Sequence, residues 1–239
     1  LAGQTIWYGA STIAARFINL LLTPFLTYSL ANTSDYGKMG LIYAAIPVLN
    51  VIFTYGFETA YFRFATKPEY KNSIYSTAVL SLFFSTLFFT ALLWFYQDGF
   101  ANIVSLQGFP KIIQLSIFII AFDALNRIPF ARLREEDRPK KFAFINILSI
   151  VVNVFFTWFF IAWCPNQLKQ NPSSWVSSFY SNGTNPIVYV LLANLIQSVV
   201  TLLLLSGELA KIRLRFNVKL WKEMMVYSLP LIIVGMGGM

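Results

Sequence analysis

The 239-residue sequence is 57% hydrophobic and only 12% charged, with a mean hydropathy of +0.62; a soluble domain carries roughly 25% charge, and apolar runs near twenty residues recur here, so the chain reads as an all-α, polytopic membrane helix bundle. Its net charge of +8 sits in short connections, which reads as membrane orientation and not as a nucleic-acid surface. The absence of His and the single Cys164 exclude His-based triads, Cys–His pairs, zinc sites and an intrachain disulfide, and no cofactor is expected.

In chain order, span 1 is expected at 6–28, too long and with Arg16 too near its centre for a cleaved signal peptide. The turn ANTSDYGK leads to span 2, at 40–61, which ends in the basic FRFATKPEYKN. Span 3, at 73–96, carries Thr77, Ser81 and Ser85 at four-residue spacing, a pattern for close helix packing. Span 4, at 112–131, runs into the charged RLREEDRPKK. Span 5, at 142–164, is followed by a polar loop of about twenty residues in which Asn182-Gly183-Thr184 reads as a turn. Span 6 is expected at 187–205 and a seventh from Met224. Segment 211–222 interleaves Lys and Arg with Ile212, Leu214, Phe216, Leu220 and Trp221, fitting either a membrane-surface segment or a solvated linker. The chain begins at Leu1 and ends in LPLIIVGMGGM, so a piece of a longer protein is expected: a six-helix lobe at 1–205, a cytoplasmic linker at 206–223, and the start of a truncated seventh helix at 224–239.

The connections decide orientation. Those after spans 2, 4 and 6 carry Arg63, Lys67 and Lys71, then Arg132, Arg134, Arg138, Lys140 and Lys141, then Lys211, Arg213, Arg215, Lys219 and Lys222. Those after spans 1, 3 and 5 carry only Lys38, Lys111 and Lys169. The even connections, and the N-terminus with them, are therefore expected on the cytoplasmic side.

Arg16 and Arg127 are left inside spans, where a charge costs about 2.5–3.5 kcal/mol on insertion scales and usually faces a bundle interior or a wet cavity. Tyr8, Thr12, Arg16, Asn19 and Thr23 share one face of span 1, and Tyr43, Pro47, Asn50, Thr54 and Glu58 one face of span 2. Span 4 places Asp123 and Arg127 one turn apart with Asn126 beside them; span 5 offers Asn146, Asn153 and Thr157; span 6 offers Asn194, Gln197 and Thr201. These stripes fit a common polar interior, or hydrogen bonds between neighbouring helices. Asp123–Arg127 reads either as a neutralised i,i+4 pair or as a working one. Arg16 has no acid on its own helix, and Glu58 is a candidate partner or a titrating carboxylate. Pro24, Pro47, Pro129 and Pro230 permit bends, as in alternating-access transporters. There is no Walker-type phosphate loop and no outward loop large enough for a catalytic domain, so an enzyme is not expected.

PFARLREEDRPKKFA after span 4, YGFETAYFRFA at the end of span 2 and LWKEMMVYSLPLIIVG entering span 7 resemble the bacterial polysaccharide-export proteins of the Wzx type, oligosaccharide flippases of the MOP superfamily. The resemblance implies two six-helix lobes around a central cavity in the bacterial inner membrane. It implies flipping of an undecaprenyl-diphosphate-linked oligosaccharide from the cytoplasmic to the periplasmic leaflet for lipopolysaccharide or O-antigen biosynthesis. It also implies that cavity arginines hold the diphosphate, for which Arg16 and Arg127 are the matching candidates. Asp123 and Glu58 would then pair with arginine or couple an ion. Tyr8, Thr12, Asn19, Asn50, Thr54, Asn126, Asn153, Asn194 and Gln197 would line the path. Membrane lipids and polysaccharide-assembly enzymes are the further partners implied. A cation-coupled exporter of small amphipathic molecules, centred on Asp123 and Glu58, is the alternative within transporters. A membrane glycosyltransferase and a non-transporting scaffold are alternatives outside that class.

Overall fold

The computed structural model describes residues 9, 13, 24–28, 33–172, 174–213 and 215–237. Among the described residues there is helix and no strand, and six helices are long and apolar enough to cross a membrane. The chain is thus a multi-pass helical membrane bundle. The long helices are α1 (Thr33–Thr54), α3 (Ile74–Phe95), α5 (Pro110–Glu135), α6 (Pro139–Trp158), α8 (Pro186–Leu204) and α10 (Val218–Gly237). Shorter ones are α2 (Phe57–Ala65), α4 (Gln97–Ile103), α7 (Cys164–Gln170) and α9 (Ser206–Leu209). Span 1 falls almost wholly outside the described residues, and so do Tyr8, Thr12, Arg16, Asn19 and Thr23.

Helix α5 is the axis of the bundle. Its apolar window is 61% buried, against 17 to 39% for the other five. It packs against α1, α2, α3, α6 and α8. One apolar cluster joins its first half to α1 and α8 through Ile112, Ile113, Ile117, Ile42, Ile187 and Leu191. A second joins its last turns to α2, α3 and α10 through Ile128, Ala131, Phe57, Phe64, Leu82 and Met224. Lys67 pairs with Glu223, while Arg132, Arg138, Lys141 and Lys211 surround Glu208, so contacts gather the three basic connections at one end of the bundle.

The turn between α5 and α6 explains the run REEDRP. Arg138 N–H donates to the Leu133 carbonyl (2.9 Å) and Asp137 N–H to that of Arg134 (3.3 Å), with Asp137 left-handed at φ 51°. This is a Schellman stop, and Pro139 then opens α6, where a missing N–H is harmless. Helix α6 continues through a π turn at Phe159–Trp163 into α7, so Pro139–Gln170 runs 32 residues, beyond the expected end of span 5.

Span 7 begins earlier than expected, at Val218. Asn217 caps it: its Oδ1 accepts from Leu220 N–H at 3.1 Å, which offsets the charged first turns that make 218–223 read as linker. The described residues of the preceding stretch, 211–213 and 215–217, are not helical, and the segment is strapped to α3. Arg213 N–H donates to Ser76 Oγ (3.0 Å), Asn217 N–H to Thr77 Oγ1 (3.1 Å) and Trp221 Nε1 to Ser81 Oγ (2.8 Å). The small polar residues of α3 therefore serve as hydrogen-bond acceptors here, a role beyond the close packing read from their spacing.

The prolines Pro47, Pro129 and Pro230 lie inside continuous helices. The break in span 2 comes instead at Tyr55 and Gly56, both left-handed at φ 36° and 69°. For Tyr55 that conformation costs roughly 1–2 kcal/mol. It is held by burial and by a 2.7 Å hydrogen bond between its hydroxyl and that of Ser81. Gly56 is required twice over. A Cβ there would sit 3.0 Å from Leu231 Cβ and 3.1 Å from the Ser228 carbonyl of α10. Gly56→Ala is expected to destabilise the bundle by about 2 kcal/mol, from the left-handed penalty and overpacking together, read as a lower melting temperature in detergent. Unchanged melting would show that α10 does not press on the break.

Candidate functional site

A cavity of about 360 Å³ opens between α2, α5, α6 and α8. From α5 come Asp123, Asn126, Arg127, Phe130 and Arg134; from α6 Phe142, Asn146 and Ser149; from α8 Gln197, Ser198 and Thr201; from α2 Glu58. Each set keeps helical spacing. Asp123, Arg127, Phe130 and Arg134 recur at intervals of four, three and four on the face of α5 turned to the cavity. Glu58 stands in the first turn of α2, just beyond the break, where the helix N-terminus favours a carboxylate.

Glu58 is held between two guanidinium groups. Arg134 Nη2 donates to its Oε1, and Arg127 Nη1 lies 4.0 Å from its Oε2. Arg134 is fixed further by the rings of Phe62 and Phe142, 5.2 and 5.7 Å from its guanidinium carbon. Arg127 keeps 48% of its side chain exposed. Asp123 turns elsewhere: Ser198 Oγ donates to its Oδ1 at 2.6 Å, and Asn50 faces it from α1. Among the ion pairs of the described residues Arg127 therefore meets Glu58 and not Asp123. One-turn spacing brings Asp123 and Arg127 near each other, yet α8 supplies a donor to the first and α2 a carboxylate 4.0 Å from the second.

The remaining polar residues divide into two groups. Asn126 and Gln197 line the cavity. Asn126 also bridges helices, its Nδ2 donating to the Ser198 carbonyl at 3.0 Å. Asn153 and Asn194 do not line it; they join α6, α8 and α1, with Asn153 Nδ2 on Asn194 Oδ1 at 2.7 Å and Asn194 Nδ2 on the Tyr43 hydroxyl. Thr54 back-bonds to the Asn50 carbonyl at 2.7 Å. Five cavity residues fall outside the sequence reading of a polar interior: Phe130, Arg134, Phe142, Ser149 and Ser198. Arg134 had a legible signal, since it lies seven residues, two turns, beyond Arg127.

Chemically, the site offers two guanidinium forks, amide and hydroxyl groups from three helices, and two carboxylates, all inside an apolar bundle. Guanidinium groups so placed engage phosphate or carboxylate oxygens in parallel pairs of hydrogen bonds. No group of three or more His, Cys, Asp or Glu able to hold a metal occurs among the described residues. No protein-family model matches the chain, and no curated protein or solved structure matches it.

Proposed function

We propose that the chain is the first lobe of a Wzx-type flippase of the MOP superfamily, not an enzyme, which carries undecaprenyl-diphosphate-linked oligosaccharide across the bacterial inner membrane. The observation that carries this reading is a pair of arginines, Arg127 and Arg134, on the cavity face of the most buried membrane helix. Arg127 lies inside the helix, where charge is retained if a ligand or pathway uses it, and Arg134 lies in its last turn at the basic end. The arginines hold the diphosphate; Asn126, Asn146, Gln197 and Thr201 hydrogen-bond the first sugars. The volume is in the ~300–1,000 Å³ range of small-molecule sites. The basic end faces the cytoplasm, where substrate is loaded and polysaccharide-assembly enzymes dock.

The exporter of small amphipathic molecules calls for unpaired carboxylates and peripheral arginines; Asp123 meets the first condition among the ion pairs of the described residues, but Glu58 faces two arginines on the cavity wall, which favours the flippase. Depleting the full-length protein in its host tests the two. The flippase reading expects loss of surface polysaccharide and accumulation of lipid-linked oligosaccharide facing the cytoplasm. Intact polysaccharide with raised drug sensitivity would replace it with the exporter.

A further inference from the structure

We infer that Glu58 is a built-in competitor for the anion site: its carboxylate occupies the two arginines in the resting state and an incoming diphosphate displaces it. The inference rests on the anion-binding reading above and adds how that site is regulated. Three observations carry it. First, Glu58 faces both arginines: Arg134 donates to one oxygen and Arg127 lies 4.0 Å from the other, leaving room for a second oxyanion between the two forks. Second, Arg134 has contacts besides Glu58, and Arg127 is not buried against it. Arg134 lies between the rings of Phe62 and Phe142, and Arg127 extends into the cavity with half its side chain exposed. Removing the acid leaves a preorganised, solvated pair of cations rather than a collapsed one. Third, the carboxylate can yield without its helix. Phe57, Ala60, Tyr61 and Phe64 anchor α2 in the apolar cluster, whereas the Glu58 side chain keeps 25% exposure at the cavity wall. With Glu58 and Asp123 both ionised, the two acids and two arginines leave the cavity formally neutral. The displaced carboxylate would rejoin the arginines as the ligand leaves, which speeds release, and a flippase needs release as much as capture.

The sign of one substitution decides the matter. Glu58→Gln in the full-length protein is expected to bind inorganic pyrophosphate about tenfold more tightly than wild type, by calorimetry in detergent at fixed pH and salt, because the competitor is gone. Glu58→Asp, one methylene shorter and still charged, is expected between the two. If Glu58 only supports the arginines, Glu58→Gln weakens binding or leaves it unchanged. That result, with wild type binding and Arg127→Gln not, overturns the competition and leaves the anion site standing. Absence of pyrophosphate binding by wild type and by a folded Glu58→Gln overturns both. Should Glu58→Gln fail to fold, Glu58→Asp binding no better than wild type overturns the competition.

Discussion

Replacing Arg127 and Arg134 together by Gln is expected, on the flippase proposal, to lower export of lipid-linked oligosaccharide by about a hundredfold or more, at unchanged protein level. Each charged hydrogen bond lost to a phosphate contributes roughly 1.5–3 kcal/mol, so two arginines account for two or more powers of ten. Gln is shorter but stays polar and keeps some hydrogen bonding, so the cavity wall is not made apolar. The double variant does leave Glu58 without its cations, and an isolated acid in an apolar bundle is itself damaging. Adding Glu58→Gln restores a neutral wall, and the triple variant should remain as inactive as the double one. Arg127→Lys should recover little, because an ammonium is a single point of charge where the fork grips two oxygens. The measurement is surface polysaccharide in the host, with protein abundance checked in the membrane fraction. Wild-type export by the double variant would remove both arginines from the transport site.

The architecture was largely legible because a bilayer imposes long uncharged helices and segregates basic connections. Spans 3 and 6 lie within a residue of α3 and α8 at each end. What local reading lost were features decided between segments. The break at Tyr55–Gly56 follows from α10 pressing on Gly56 and from Ser81 holding the Tyr55 hydroxyl, contacts that no window of hydropathy contains. The onset of α10 depends on a cap at Asn217, while the charges of Lys219, Lys222 and Glu223 imitate a linker. The Asp123–Arg127 pair came from i,i+4 spacing, but the acid that meets the arginines is Glu58, 76 positions from Arg134 in the chain. Arg134 itself was absorbed into the basic loop count, although its helical phase with Arg127 already put it on the cavity face. Orientation rules reward counting charges; site residues require following their periodicity.

The same preference for counting hid Glu208, one of two acids in a basic linker. Its replacement by Ala is expected to destabilise the fold by about 3 kcal/mol, roughly 6–10 °C in melting temperature. Its side chain is fully buried and accepts from Arg138 (2.9 Å), Lys141 (2.7 Å) and Lys211 (2.8 Å), with Arg132 Nε at 3.9 Å. Tyr75 adds a bond from its hydroxyl to the Glu208 carbonyl at 3.0 Å, tying α9 to α3. Without the carboxylate, four cations face one another with only Glu136 to offset them, and the turn from α5 to α6 loses its tie to the 206–211 segment. The cations remain one-third to two-fifths exposed apart from Arg132, so salt screens part of the repulsion and holds the loss near the lower end of what a broken buried pair costs. Burial raises the Glu208 pKa, but the hydrogen bonds from Lys141 and Lys211 and their charge outweigh it, and the carboxyl is held at about 2 against an ordinary 4.5. A depressed pKa gives stability that is complete above the unfolded value and disappears as pH falls toward the folded one. Wild type should therefore lose this contribution between about pH 4.5 and 2, and Glu208→Ala, which never had it, should show a flatter acid limb. Thermal unfolding in detergent from pH 7 downward, on both proteins, reads the difference. Parallel acid limbs, or equal melting at pH 7, would mean that Glu208 does not hold the basic end together.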